Sequence, residues 1–166
     1  DESVRAASVD MCRRIIELCR PLSPGTFALH FAGDDPADRG RVPSADMSGW
    51  CGALDQSLSA LVAEVDTPRR ICVETLAYPF SLIEDVVLTH DAGVCLDIGH
   101  LLFWGHDVAA HLERYLDRLH LMHIHGIRDG KDHRSLSNLD PALLDAAMAC
   151  MSRPDDLYRV MTVEVF

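Results

Sequence analysis

Asp97 and His100 close the stretch GVCLDIGH (93–100), a carboxylate and an imidazole three residues apart at the end of an apolar run. A strand end needs neither group for stability, so their types point to chemistry. The pattern recurs along the chain: His30 follows TFAL, Glu74 closes RICVE, His123 and His125 close LHLMHIH, and Glu164 lies in TVEVF. Carboxylates held close together repel one another and take up protons unless a cation holds them. A divalent metal resolves that conflict. Imidazole and carboxylate without thiolate suit Zn²⁺, Mn²⁺ or Fe²⁺ rather than a structural zinc finger.

Each residue alone has a plainer reading. His30 could be a structural histidine and Glu74 the partner of an arginine. Asp97 could cap a helix beginning near His100, and His133 could simply be solvated. His123 and His125, two apart, share a strand face, so one could support the other. Coincidence at five successive strand ends weighs against taking all of these together. His90, His106, His111 and His120 fall on helices or at their edges and receive no role.

The elements that must position these groups alternate between short apolar, β-branched runs and longer amphipathic segments. Strands are expected at 26–32, 70–75, 93–99, 119–126 and 159–166. Helices are expected at 8–19, from Ser44 as cap to about Val65, at 80–90, at 107–119, and at 140–151 with Asp140 as cap and Pro141 in the first turn. The first is read with Met11, Ile15 and Leu18 on its packed face. The fourth packs through Val108, Leu112, Tyr115, Leu116 and Leu119. A polar loop with Asp34, Asp35, Pro36, Asp38 and Gly40 follows the first strand.

This alternation argues for a parallel sheet, whose C-terminal strand ends all lie on one face. From His30 to Glu164 the repeat averages roughly 33 residues. Eight such units make about 250 residues, the size of a (β/α)8 TIM barrel. The expectation is therefore an α/β chain forming a partial barrel of about five βα units. No Gly-rich nucleotide loop follows a strand, which weakens an open doubly wound alternative. The chain opens on Asp1 and closes in a strand, so 1–166 reads as one domain truncated at both ends.

Net charge is −11, from 15 basic and 26 acidic residues. That argues against nucleic acid as a partner, since polyanion binding needs many Lys and Arg contacts. No apolar run is long enough to span a membrane. Six cysteines without a C-x-x-C pair or a signal peptide read as reduced core residues of a cytoplasmic protein. The oligomeric state is left open.

CVETLAYP, CLDIGH, HIHGIRDGKDHRSL and TVEVF, in that order, resemble the xylose-isomerase-like barrels, which include type IV apurinic endonucleases and sugar epimerases. The resemblance covers the whole chain as the last five βα units. CLDIGHLLFWGHD with HGIRDGKDHRSL looks most like the cobamide-remodelling phosphodiesterases, which cleave the nucleotide-loop phosphodiester of a corrinoid. The superfamily's Glu, Asp, His, Glu metal quartet falls on Glu74, Asp97, His125 and Glu164. His125 is preferred as nearer the strand end, with His123 as the alternative. His30 and His133 resemble further ligands of the multi-metal endonucleases, and His100 matches a histidine that binds metal in the endonucleases and substrate in the epimerases. The endonuclease Asp-x-His pattern is replaced here by Lys131, Asp132, His133.

The resemblance implies two or more divalent ions, Zn²⁺ or Mn²⁺, and a small-molecule phosphodiester substrate, a corrinoid. Glu74 would bridge metals, Glu164 would serve the reaction, and Arg128 and Lys131 would stabilise developing phosphate charge. The alternative is a metal-dependent sugar or sugar-phosphate isomerase or epimerase, with Glu74 and Glu164 moving a proton. Endonuclease-like DNA repair and a non-catalytic metal-binding fragment complete the set.

Overall fold

Runs such as ICVE and GVCLD are buried at every position, as expected of parallel strands covered on both faces. A computed structural model describes residues 1–32 and 43–166. The expected loop residues Asp34, Asp35, Pro36, Asp38 and Gly40 lie outside the described residues. The element order is α1 (Glu2–Cys19), β1 (Phe27–Leu29), α2 (Met47–Val62), β2 (Ile71–Glu74), α3 (Glu84–Thr89), β3 (Gly93–Asp97), α4 (Ile98–Trp104), α5 (Val108–Tyr115), β4 (Leu119–Ile124), β5 (Gly126–Arg128), β6 (Lys131–Arg134), α6 (Pro141–Met151) and β7 (Val160–Val163).

Five strands form one all-parallel sheet in the order β1-β2-β3-β4-β7, a partial TIM barrel. The separate pair β5–β6 is an antiparallel hairpin inserted after β4. Asp129 and Gly130 form its two-residue turn, both at positive φ (55° and 67°), the geometry that Asp-Gly favours. The expected strand at 119–126 therefore ends sooner, and a hairpin follows it.

The two faces of the sheet divide the core. Ile71, Val73, Val94, Leu96, Met122 and Ile124 face the helices and join the main apolar cluster. Cys72, Cys95 and Leu121, with Val160 against them, form a second cluster on the concave face. Strand alternation places Glu74, Asp97 and His123 two residues beyond Cys72, Cys95 and Leu121, so they point to the same concave side one layer higher.

Aspartates cap the helices: Asp46 accepts the Gly49 N–H (2.9 Å), Asp107 that of Ala110 (3.0 Å) and Asp140 that of Ala142 (2.9 Å). Ser44 does not cap α2. Its hydroxyl accepts the Asp46 N–H at 3.1 Å, orienting the residue that does. Helix α1 begins earlier than expected and turns a different face inward. Val9 and Ile16 are buried while Met11, Ile15 and Leu18 are exposed. Both stripes are apolar, and only packing against α2 chooses between them. The remaining histidines are spent structurally, His90 on Asp55 (2.8 Å) and His106, His111 and His120 on the carbonyls of Ala77 (3.1 Å), Asp107 (2.6 Å) and Tyr158 (3.2 Å). All six cysteines are free thiols, and among the described residues no helix is long and apolar enough to cross a membrane.

Candidate metal centre

Glu74 ends β2 with its side chain 1% exposed, at the hub of three imidazoles. Its Oε2 lies 2.7 Å from His30 Nε2 and 3.2 Å from His123 Nδ1, and its Oε1 lies 3.3 Å from His100 Nδ1. Asp97 ends β3, directly across from His123 in the β3–β4 register. Its Oδ2 is 3.1 Å from His100 Nδ1 and 4.0 Å from His123 Nδ1. Glu164, one residue past β7, brings Oε1 to 3.3 Å from His123 Nδ1 and Oε2 to 3.5 Å from His133 Nε2. The strand-end residues expected to converge are thus brought together.

Three strand steps separate β2 from β7, about 14 Å on a flat sheet at the usual interstrand spacing. Glu74 and Glu164 nevertheless both reach within 3.3 Å of one imidazole nitrogen. His123 stands between them on β4, two strand steps from Glu74 and one from Glu164, where both side chains reach it.

Burial alone would raise the Glu74 carboxyl, but the imidazoles of His100, His123 and His30 around it hold it well below the usual carboxylate range. For His100 and His123, burial disfavours the charged ring, yet Glu74 and the neighbouring carboxylates outweigh it and raise both above the usual histidine range. Glu74 also raises His30. Cys95 lies in the layer beneath, its Sγ 4.0 Å from Glu74 Oε2, and burial keeps it protonated by pushing the thiol far up.

The residues fit a divalent cation on a specific observation. Asp97 Oδ2, His100 Nδ1, His123 Nδ1 and His125 Nε2 are buried without a hydrogen-bond partner, although each lies within or beside the cluster. Buried polar atoms are rarely left so, and orphaned lone pairs aimed at one another call for an ion between them. Two overlapping groups have ligand atoms within 4.8 Å of one another: Glu74, Asp97 and His100, and Asp97, His123 and Glu164.

The structure separates the two histidines of β4. His123 points to the concave face and meets Glu74, Asp97 and Glu164. His125 lies one residue past the strand, so alternation no longer governs it, and its ring turns toward α4 instead. It reaches one carboxylate of the quartet, with Nε2 3.1 Å from Asp97 Oδ1. Arg128 and Lys131 pair across the β5–β6 turn and are exposed, and neither hydrogen-bonds or ion-pairs with the cluster.

The sequence left Thr75 unmarked and gave Asp132 no role, whereas Asp97 was read in both of the parts it plays. Asp97 Oδ1 accepts the His100 N–H at 2.8 Å, capping the seven-residue α4, so the structural and chemical readings of Asp97 hold together. Thr75 Oγ1 accepts the Asp97 N–H at 3.0 Å. Asp132 lies 3.4 Å from His133 Nδ1. A capping signal was visible in Asp97-x-x-His100, whereas nothing marked Thr75 beforehand.

The profile of the xylose isomerase-like TIM barrel family matches residues 1–148, and the chain belongs to that family. No curated protein matches the sequence at a significant level. Among solved structures, the IolI protein with a bound zinc atom superposes with a TM-score of 0.72 at 15% identity, covering 100% of this chain and 63% of that one. The 3-keto-D-glucoside 4-epimerase YcjR from E. coli, apo form, gives 0.71 at 17% identity, covering 100% and 66%. A sugar phosphate isomerase/epimerase from Parabacteroides distasonis gives 0.64 at 12%, covering 99% and 60%. The chain therefore spans 60–66% of the length of these structures, and likeness at such identities establishes the fold.

Proposed function

We propose that this chain carries the metal centre of a divalent-metal-dependent sugar isomerase or epimerase. One observation carries the reading. Glu74 and Glu164 approach a single nitrogen, His123 Nδ1, at 3.2 and 3.3 Å from strands three places apart. Two carboxylates thus flank one point where Asp97 and His123 also converge. The fold neighbours that act on sugars support this reading over its rivals.

Glu74, Asp97, His123 and Glu164 would hold the cation. When bound, it polarises a carbonyl and neighbouring hydroxyl, acidifying the carbon between them. Glu164, whose side chain is 25% exposed, has the open side needed to take that proton and return it. Glu74 is buried and anchored by three imidazoles. His30, its ring 58% exposed, links Glu74 to solvent and can pass a proton outward.

A second reading is metal-dependent phosphodiester hydrolysis, including that of a cobamide nucleotide loop. Its support is the surplus of imidazoles: His30, His100 and His133 also border the quartet, more donors than one ion needs.

The test is incubation with Zn²⁺ or Mn²⁺ in D₂O against a panel of ketoses and ketose phosphates, with carbon-bound deuterium read by NMR. Exchange that requires metal and is lost in Glu164→Gln is the expected result. Absence of exchange, with release of a cobinamide phosphate from a cobamide, would transfer the conclusion to hydrolysis.

A further inference from the structure

Strand β2 ends at Glu74, whose register partner is Cys95, so the ladder between β2 and β3 stops short of Asp97. Asp97 is fully buried, and a buried backbone N–H needs an acceptor. The Thr75 hydroxyl supplies it. Its Oγ1 accepts the Asp97 N–H at 3.0 Å, while the Thr75 N–H donates to the Cys95 carbonyl at 3.0 Å. A parallel ladder continued by one residue would use the Thr75 carbonyl for Asp97, and here the side chain stands in for it. Thr75 thus grips β3 at two points, one on each side of Leu96.

Thr75 is 1% exposed and follows Glu74 directly in the chain. Its hydroxyl therefore ties the strand end that carries one carboxylate to the strand end that carries another. A β-branched side chain has few choices at χ1, which keeps the hydroxyl in place. Asp97 is then fixed on every side but one. Thr75 holds its amide, the register with His123 holds it against β4, and the His100 N–H holds Oδ1 at 2.8 Å. Oδ2 is left, 3.1 Å from His100 Nδ1. Ligand atoms of Glu74, Asp97 and His100 lie within 4.8 Å of one another, close enough to share an ion. Two buried carboxylates repel, and a hydrogen bond between their strand ends resists that spreading.

We propose, given the metal centre proposed above, that Thr75 is its positioning residue. The hydroxyl fixes the separation of Glu74 and Asp97, so that both present an oxygen to one cation. Thr75 holds no cation itself and acts through Asp97. Outer partners that orient a ligand typically contribute about 10–100-fold to metal affinity.

Three variants test this. Thr75→Val replaces the hydroxyl by a methyl of similar shape, Thr75→Ala removes it without crowding, and Thr75→Ser keeps it. Zn²⁺ affinity of the folded chain is measured by competition with a chromogenic chelator, well below the melting temperature. A merely structural hydroxyl would lower that temperature and leave the affinity of the folded chain unchanged. Val and Ala should bind about 10–100-fold more weakly than wild type, and Ser should recover most of the loss. Visible absorption of the Co²⁺-loaded chain reports ligand geometry, and there Ser should match wild type while Val and Ala depart from it. Wild-type affinity in folded Val or Ala, a Ser no better than Ala, or one Co²⁺ spectrum for all four chains would overturn the role of Thr75 alone. If wild type itself binds no Zn²⁺, the metal centre fails, and the role of Thr75 falls with it.

Discussion

Glu164 Oε1 and Glu74 Oε2 both lie close to His123 Nδ1, and the two carboxylates differ in what surrounds them. Glu74 has its lone pairs engaged by His30, His100 and His123, whereas Glu164 keeps an open side. Glu164→Gln should therefore lower turnover by at least about 100-fold, the lower range for a positioned acid–base group. Its unfolding midpoint should stay close to wild type; retained turnover would remove Glu164 from the reaction. Gly99→Ala probes the same scale from packing. A methyl 2.1 Å from the His125 ring forces the ring or α4 to move, and overpacking of this kind costs about 1–3 kcal/mol. Urea unfolding should show that loss. An unchanged midpoint would mean that the ring has room to retreat.

At the scale of elements, α3 and α5 are tied by a bidentate pair. Arg114 Nε and Nη2 donate to Glu84 Oε1 and Oε2 at 2.7 and 2.6 Å. The Arg114 guanidinium holds the Glu84 carboxyl below its ordinary value of 4.5. A depressed carboxylate stabilises the fold above its unfolded-state value, and the contribution fades as pH falls through the lower folded value. Glu84→Gln should therefore cost about 0.5–1 kcal/mol at pH 7, the scale of an exposed pair. The difference from wild type should shrink as the pH falls below 4.5. Urea titrations at pH 7 and in the acid range check this, and a gap that persists in acid would deny the ion pair its role.

For the molecule as a whole, the burial of the cluster makes its stability respond to a bound cation. Glu74 and Asp97 are buried charges, and four atoms of the cluster, Asp97 Oδ2 and one ring nitrogen each of His100, His123 and His125, lack hydrogen-bond partners. An ion that binds only the folded chain stabilises it by mass action, about 2.7 kcal/mol at a hundredfold excess over Kd. At about 2–4 °C per kcal/mol for a chain of this size, Zn²⁺ should raise the melting temperature by about 5–10 °C. A chelator should reverse the rise. A melting curve indifferent to both would contradict a metal centre.

What the sequence by itself determined is the list of groups and their shared end of the sheet. Parallel alternation follows from the spacing of apolar runs, and it sends every strand end to one side. Glu74, Asp97 and Glu164 could be listed on that basis, with His125 preferred and His123 as the alternative, as could the cap at Asp140. Tertiary structure alone decided the rest. Side-chain direction lets Glu74 on β2 and Glu164 beyond β7 share one imidazole of the strand between them. The point where β4 stops being a strand sends His123 inward and His125 sideways, because two-residue alternation holds only while the backbone stays extended. The hairpin leaves Arg128 and Lys131 in solvent. Gly99 in CLDIGH reads locally as a turn, yet its lack of a side chain answers to a ring 26 residues away in the chain. Such contacts are set by which surfaces meet, and no local pattern of residues records them.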